Sequence, residues 1–382
     1  MLELATQLLA LSTSGERVAV VTVTRVARSA PRGLGASMAV TAEGAVIGSI
    51  SGGCVEGDAI VLANAVLADG IARAARFGFS DERAHAAGLA CGGEVDVIAY
   101  VLRPEDEIAR RALATAARDE RVTVALGLRE ENRGIIADAS VLSRLASPVA
   151  AELDAAAVLS ETERIADGSW LALSRAPRAR LIIVGAGEHA AALCRVASAA
   201  GFAVTVCDPW PLLATSDRFP DASDIVIAAP ADYLASLAAE PGSIDGRTAV
   251  CVLSHDERID IPAIHTALGM DVGFVGAMGA RNTVAQRAAA LRERGVPDAD
   301  LARLHSPLGL DLGGSSPEDA AVAAVAEIVA SRHAATGAPL RDVAGPIHAR
   351  TPADSHGSDI PSGASACSPL RPPVIRSPHC VS

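Results

Sequence analysis

Two segments that combine glycine and cysteine are the residues best suited to chemistry in this chain. The first is Ser51-Gly52-Gly53-Cys54-Val55-Glu56 and the second is Cys91-Gly92-Gly93-Glu94. Consecutive glycines let the backbone approach a ligand closely, and their N–H groups can form a concavity that binds anions. A thiol held there can act as a soft ligand or carry sulfur. The alternative is two glycine-rich turns that enclose small, inert cysteines.

These segments supply two candidate catalytic residues, Cys54 and Cys91. They also supply five candidate cofactor-binding residues, which are Gly52, Gly53, Glu56, Gly92 and Gly93.

A nucleotide-binding pattern opens the second half of the chain. An apolar run at 181–184 is followed by Gly185-Ala186-Gly187-Glu188-His189-Ala190, which matches G-x-G-x-x-G/A between a strand and a helix. Asp208 ends the next apolar run, at the spacing expected for a carboxylate that binds a ribose. We expect Gly185 to form the tight turn and Gly187 to admit a phosphate at the helix N-terminus.

Polar side chains also follow later strands of this half. His255 and Asp256 come directly after an apolar run at 248–253, and Arg281 follows a similar run that ends in glycine. Ligands of doubly wound sheets bind beyond the carboxyl ends of the strands, so these three are further candidate cofactor-binding residues. The alternatives are a histidine beside a helix cap and an arginine on the solvated surface.

The elements that position these residues alternate along the chain. Before residue 174 the pattern predicts an α+β domain, whose elements are a helix at 3–15, strands at 17–28, 36–40 and 45–50, a helix at 55–67, strands at 73–79 and 94–102, a helix at 105–119, strands at 122–128 and 133–137, and a helix at 151–159. Strands and helices then alternate to about residue 333, which is typical of a parallel α/β sheet.

The predicted fold class is therefore α/β, with an N-terminal α+β domain at 1–173 and a Rossmann-like, doubly wound parallel-sheet domain at 179–342. The polar, proline-containing connector Ser174–Arg180 marks the boundary. From residue 343 to residue 382 proline, serine, glycine and histidine dominate, which predicts a disordered tail.

Composition restricts the class of protein. The 382 residues carry a net charge of −12, which argues against binding to nucleic acid or to an anionic membrane surface. No run is apolar and long enough to cross a membrane, and the N-terminus does not resemble a signal peptide, so we expect a cytoplasmic protein. The seven cysteines have no CxxC spacing, and no metal site is predicted. The chain has no lysine, which excludes Schiff-base chemistry and a Walker lysine.

Together the motifs resemble the XdhC/CoxI family of molybdenum-enzyme maturation factors, over nearly all of the chain before the tail. Beyond the glycine–cysteine segments and Gly185-Ala186-Gly187, the resemblance rests on Ala30-Pro31-Arg32, Arg218-Phe219-Pro220, Ser254-His255-Asp256 and Ser306-Pro307-Leu308-Gly309-Leu310. This chain departs from the family in having Glu188 where a histidine is common, and Gly279-Ala280-Arg281 where Gly-Ser-Arg is common.

The resemblance implies an accessory factor, not an autonomous enzyme. Such a factor binds molybdenum cofactor as cargo, supports its sulfuration and delivers it to an apo molybdenum hydroxylase of the xanthine dehydrogenase or carbon monoxide dehydrogenase type. It also implies a homodimer, and a cysteine desulfurase as a further partner.

Three other functions stay open. The glycine motif and Asp208 would also suit an oxidoreductase that uses NAD(P). A complete xanthine dehydrogenase is disfavoured because the chain is short and has no clustered cysteines for iron–sulfur centres. A scaffolding protein that recognises its client by surface alone is the fourth interpretation.

Overall fold

The structure is a computed structural model that describes residues 1–27, 31–78, 94–145, 147–160 and 162–343. The chain divides into two compact units. The N-terminal unit comprises Met1–Ala179 with Gly201–Ala203, and the C-terminal unit comprises Arg180–Ala200 with the described residues from Val204 onward. Cys91, Gly92, Gly93 and residues 344–382, most of the predicted tail, lie outside the described residues.

The N-terminal unit contains a five-stranded antiparallel sheet. Its strands are β1 (Val18–Ala27), β2 (Ser37–Thr41), β3 (Val46–Gly48), β4 (Arg73–Gly78) and β5 (Glu94–Leu102), in the order β3-β2-β1-β5-β4. The 3₁₀ helix Leu2–Leu4 leads into helix α1 (Ala5–Thr13), and helix α2 (Glu56–Asp69) follows β3.

Strand β1 explains why this sheet is covered on both faces. Val18 and Val20 belong to one apolar cluster, and Val21 and Val23 belong to another on the opposite face. Successive side chains of a strand point to opposite faces, so a nearly continuous apolar run predicts burial on both sides. The second cluster includes Ala59 and Ala63 of α2, which holds the start of that helix close to the sheet.

A second sheet completes this unit. It has four antiparallel strands, β6 (Val122–Gly127), β7 (Ile136–Ala137), β8 (Glu163–Ile165) and β9 (Trp170–Arg175), in the order β7-β6-β9-β8. Helices α3 (Glu107–Ala117), α4 (Ala139–Leu145) and α5 (Ser147–Leu159) accompany it.

Several predicted boundaries in this region are wrong, and the helix predicted at 151–159 begins at Ser147. The strand predicted at 133–137 begins at Ile136, because Asn132 and Gly134 form a turn that returns to Gly127. The connector predicted at Ser174–Arg180 starts later, because Ser174 and Arg175 pair with β6 as the end of β9. Strands β8 and β9 were not predicted at all.

The C-terminal unit is built on a six-stranded sheet. Its strands are β10 (Arg180–Val184), β11 (Ala203–Asp208), β12 (Asp224–Ile227), β13 (Ala249–Val252), β14 (Phe274–Ala277) and β15 (Leu304–His305). Their order is β12-β11-β10-β13-β14-β15, and the pairs β10–β13, β11–β12, β13–β14 and β14–β15 are parallel.

Helices flank this sheet. They are α6 (Glu188–Ala199), α7 (Pro230–Ala239), α8 (Glu257–Leu268), α9 (Arg281–Glu293), α10 (Asp298–Leu301) and α11 (Pro317–Arg332). One face carries an apolar cluster with members from α7, α8 and α9, and α6 packs against α11. Pro317 stands at the start of α11 behind a capping box formed by Ser316 and Asp319, where its missing N–H costs nothing.

This architecture confirms the predicted fold class. In sequence numbering the sheet order reads 3-2-1-4-5-6, the doubly wound order whose direction reverses between the first and fourth strands, here β10 and β13. None of the described helices combines the length and apolar character needed to cross a membrane.

Candidate functional site

The first glycine–cysteine segment forms a loop between β3 and α2. Gly52 and Gly53 have φ angles of +83° and +123°, which other residues rarely adopt, and both are exposed. The loop closes on the side chain of Glu56, the first residue of α2. Its carboxylate accepts seven hydrogen bonds of 2.6–3.2 Å, from the hydroxyls of Ser49 and Ser51 and the backbone N–H groups of Ile50, Ser51, Gly52, Gly53 and Val55.

This arrangement stabilises the ionised form of Glu56. Partial burial by itself raises the pKa of the carboxyl, but hydrogen bonds from Ser49 and Ser51 outweigh it and lower the pKa to about 2. Glu56 also lies in the first turn of α2, where a negative charge interacts favourably with the helix dipole. The N–H groups of Gly52 and Gly53, which were predicted to bind a ligand, thus already donate to a carboxylate of the chain itself.

Cys54 projects from this preformed loop. Its N–H donates to Ser51 Oγ at 3.1 Å, and its half-buried side chain packs against the apolar cluster between α2 and the sheet. The second segment adjoins the same sheet: β5 begins at Glu94, directly after Gly93, and Glu94 pairs with Ala27 and Gly78. The roles assigned to Cys54, Cys91 and their glycines stay predictions.

The other described thiols differ from Cys54 in their burial. Cys194, Cys207 and Cys251 are all buried in the C-terminal unit. Burial raises the pKa of Cys194 to about 11 and that of Cys207 to about 12, and it also raises the pKa of Cys251. Thiols held protonated in this way are poor nucleophiles.

The nucleotide-binding motif lies at the strand-order reversal of the C-terminal unit. Gly185 directly follows β10 with φ +103°, and a Cβ there would lie 2.8 Å from the backbone of Ser254. Glycine is therefore required at 185, because the loop after β13 passes too close for a side chain. Gly187 caps helix α6, and the position of its missing Cβ faces open space, where a phosphate could approach the first turn.

Two histidines meet above these strand ends. His189 lies in the first turn of α6, and His255 follows β13 on the neighbouring strand. Their rings stand edge to face with centroids 6.3 Å apart. His255 adopts φ +60°, an uncommon conformation for a residue with a Cβ. Such backbone conformations cluster at functional sites. His255 is among the predicted cofactor-binding residues and His189 is not, although His189 lies inside the glycine fingerprint.

Asp208 ends β11 as predicted, but it is buried. It is 4% exposed, and its Oδ1 accepts the backbone N–H of Trp210 at 2.8 Å. Nearby, Arg218 donates to Glu188 Oε1 at 3.2 Å and to the carbonyl oxygen of Leu213 at 2.8 Å. Arg218 thus offsets the charge that Glu188 brings to the fingerprint.

The remaining two predicted residues lie at helix N-termini. Asp256 caps helix α8 by accepting the N–H of Arg258 at 2.9 Å, and the Arg258 guanidinium also binds the Asp256 carboxylate. Arg281 is exposed as the first residue of α9. Both lie at the carboxyl edge of the sheet, and their assignment to a cofactor stays a prediction.

A partly buried polar network around Asp260 supports this edge and was missed from the sequence. Ser254 Oγ donates to Asp260 at 2.5 Å, and Asp260 lies 3.8 Å from Arg287. Arg287 in turn donates to Ser306 Oγ at 2.7 Å and to the Met278 carbonyl oxygen at 2.8 Å. Burial raises the pKa of Asp260. A signal existed, since Asp260 and the neighbouring Ile261 and Ile264 share the inner side of an amphipathic helix.

In the part of the chain that the structure describes, no three histidine, cysteine, aspartate or glutamate side chains lie close enough together to hold a metal ion.

Comparison with protein families decides the relationship of this chain. A model of the XdhC Rossmann domain matches residues 181–328, and a model of the XdhC and CoxI family matches residues 11–78. The chain belongs to the XdhC and CoxI family. The first match contains Gly185 and His255, which lie at the strand-order reversal of the C-terminal sheet, and the second contains the Cys54 loop.

Two relatives and one solved structure extend the XdhC and CoxI match. The chain is 26% identical to a probable xanthine dehydrogenase subunit of Bacillus subtilis, over 86% of this chain and 97% of the relative. It is also 26% identical to the molybdenum cofactor insertion chaperone PaoD of Escherichia coli, over 84% of this chain and 85% of the relative. A crystal structure described as a xanthine dehydrogenase from Bacillus halodurans is 25% identical, with a TM-score of 0.68, over 87% of this chain and 96% of that one.

Proposed function

We propose that this protein is a molybdenum cofactor insertion chaperone. The observation that carries the proposal is the match to PaoD over 84% of the chain, within a family whose two domain models both match. The geometry is compatible with a carrier: one unit has a half-buried thiol in a loop that is hydrogen-bonded to Glu56, and the other has an open approach to a helix N-terminus at its strand-order reversal. Both features suit binding of a cofactor with a phosphate and sulfur ligands.

The finer part of the proposal concerns the cargo's route. The chaperone binds molybdenum cofactor in the cytoplasm as a homodimer and supports its sulfuration, with a cysteine desulfurase as a further partner. It then delivers the cofactor to an apo-hydroxylase of the xanthine dehydrogenase type. Support for this client comes from the Bacillus subtilis relative, whose name is that of a xanthine dehydrogenase component.

In this scheme Cys54 and Cys91 are the residues that act on the cargo. Gly92 and Gly93 bind the cargo through their backbone N–H groups. Gly52 and Gly53 do the same where the cargo replaces Glu56 as the acceptor of their N–H groups. Gly187 admits the phosphate. His255, Asp256 and Arg281 contact the cofactor from the strand ends of the C-terminal unit.

The test is anaerobic purification after expression with molybdate, with molybdenum measured by mass spectrometry and pterin by fluorescence after oxidation. We expect stoichiometric molybdenum and pterin in the wild type, and loss of both in Cys54→Ala or Cys91→Ala. Cys194→Ala is the matched control, because that thiol is buried in the core of the C-terminal unit, and it should retain the cargo. Cargo retained at full stoichiometry in both loop variants would contradict the thiol role, and absence of pterin from the wild type would contradict the chaperone.

One observation favours a second function, that of an NAD(P)-dependent oxidoreductase. The strand order of the C-terminal sheet is that of dinucleotide-binding folds. Gly187 could admit the pyrophosphate, and Asp208 would have to reach the ribose with the oxygen that does not bind Trp210. A bound nicotinamide would supply hydride transfer. Titration with NADH, followed by its fluorescence, in the wild type and Gly187→Val decides this; retained affinity in the variant would exclude the fingerprint as the binding site.

A further inference from the structure

The N-terminal unit contains a cavity of about 400 Å³, and among its described lining residues none belongs to the Cys54 loop. It lies between the 3₁₀ helix, the loop before β2 and the end of β9. Its apolar wall includes Leu2, Leu34 and Leu173, and its polar groups include Arg32, Arg175 and Glu3. The volume is within the range of pockets that hold small organic ligands.

Positively charged side chains outnumber negatively charged ones among the described residues that line the cavity. Glu3 is its single carboxylate among the described lining residues, and it is already engaged, by an ion pair with Arg32 and by the N–H of Ser37 at 2.6 Å. Arg175 donates to the carbonyl oxygen of Leu2 at 2.9 Å, a neutral acceptor that leaves the positive charge of the guanidinium uncompensated. Arginine keeps this charge at every physiological pH.

The two guanidiniums reach the cavity from distant parts of the sequence. Arg32 comes from the loop between β1 and β2, whereas Arg175 is the last residue of β9 in the second sheet. Guanidinium groups bind phosphate and carboxylate through paired, charge-assisted hydrogen bonds. The presence of two arginines and three leucines in one lining therefore favours a ligand that carries an anionic group on an apolar body.

We infer that this cavity binds an organic phosphomonoester, with Arg32 and Arg175 as its phosphate ligands and the leucine wall against its ring. Phosphate is favoured over carboxylate because a dianion can use two guanidiniums at once, even with Glu3 present. The inference goes beyond the proposed function and does not depend on the identity of the cargo.

The test is calorimetric titration of the full chain with phenyl phosphate, benzoate and phenol as probes. We expect phenyl phosphate to bind more tightly than benzoate, and phenol to give no binding. Arg32→Met and Arg175→Met should each weaken phenyl phosphate by about tenfold or more, as expected for loss of a charged hydrogen-bond donor. Arg175→Lys keeps the charge without the planar fork and should recover part of the affinity.

Arg110→Met is the matched control, because Arg110 is exposed on α3 and does not line the cavity, and it should bind phenyl phosphate as the wild type does. Thermal melting of every variant verifies that it is folded. The inference is overturned if the wild type does not bind phenyl phosphate, if both arginine-to-methionine variants bind it unchanged, or if Gly187→Val abolishes binding. The last result would move the phosphate to the C-terminal unit. Since molybdenum and pterin are not measured, a negative result here leaves the chaperone proposal standing, and loss of the chaperone proposal would not affect this site.

Discussion

The imidazole rings of His189 and His255 stand edge to face, with centroids 6.3 Å apart. His189 lies in the first turn of α6, and His255 lies in the loop that follows β13. This contact joins the loops after β10 and β13, the two strands between which the sheet order reverses. Ligands of doubly wound folds bind at that reversal. We therefore expect a ligand of the C-terminal unit to bind beside the histidine pair.

The backbone at His255 should reverse the usual ranking of alanine and glycine. Because its φ is +60°, His255→Gly should be more stable than His255→Ala by about 1 kcal/mol. Urea unfolding of the two variants measures the difference. His189 supplies the matched comparison inside a helix, where His189→Ala should be more stable than His189→Gly by about 1 kcal/mol. The same order at both positions would contradict the left-handed conformation of His255.

The two glycines of the fingerprint should respond differently to a methyl group. Gly185→Ala should lower the free energy of unfolding by about 2 kcal/mol or more, because its Cβ would lie 2.8 Å from the Ser254 backbone at φ +103°. Gly187→Ala should lower the free energy of unfolding by less than about 1 kcal/mol, because the added methyl group meets open space. The small remaining loss arises because alanine is a poorer helix N-cap than glycine. Equal losses of unfolding free energy in the two variants, measured with denaturant, would show that the turn at Gly185 does not contact the loop at Ser254.

Glu56 should stabilise the Cys54 loop only while it is ionised. Its pKa falls from an ordinary 4.5 to about 2 on folding, so its contribution is complete above pH 4.5 and is lost as the pH falls toward 2. Glu56→Gln should cost about 1–3 kcal/mol at pH 7, and this difference from the wild type should shrink near pH 2.

The matched control for Glu56 is Asp58→Asn. Asp58 lies in the same helical turn and is exposed, so its substitution should change the free energy of unfolding by less than about 0.5 kcal/mol. A loss in Glu56→Gln that stays constant from pH 7 to pH 2 would show that the charge of Glu56 is not responsible.

The described thiols should separate by their rate of alkylation. At pH 7 iodoacetamide should modify Cys54 first, because its side chain is half-buried, whereas Cys194, Cys207 and Cys251 are buried with raised pKa values. Peptide mapping by mass spectrometry follows each site separately. The three buried thiols should react only after addition of denaturant, and modification of Cys251 in the native protein at the rate of Cys54 would contradict the packing.

The sequence was most informative where periodicity and burial coincide. Strand β1 was predicted at 17–28 and spans Val18–Ala27, and β5 was predicted with its observed bounds of Glu94–Leu102. Both are apolar on two faces, so their signal is strong. Strands β8 and β9 were missed because β8 has three residues and β9 leads directly into a polar, proline-containing connector.

The candidate site was predicted less completely, for a reason visible at Glu56. Glycine content indicates that amides are accessible, but it cannot show which acceptor they meet. In the structure the acceptor is the carboxylate at the end of the same segment. His189, Asp260 and Arg287 were missed because their importance comes from contacts across the sheet edge, between residues that are distant in sequence.

The close approach of Gly185 to Ser254 also has a mechanical consequence. A loop whose backbone touches its neighbour without an intervening side chain cannot be displaced alone, because there is no compressible gap between them. Movement of the turn after β10 must push the segment that carries His255. We therefore expect the turn after β10 and the loop after β13 to shift together, so that a displacement at Gly185 also displaces His255.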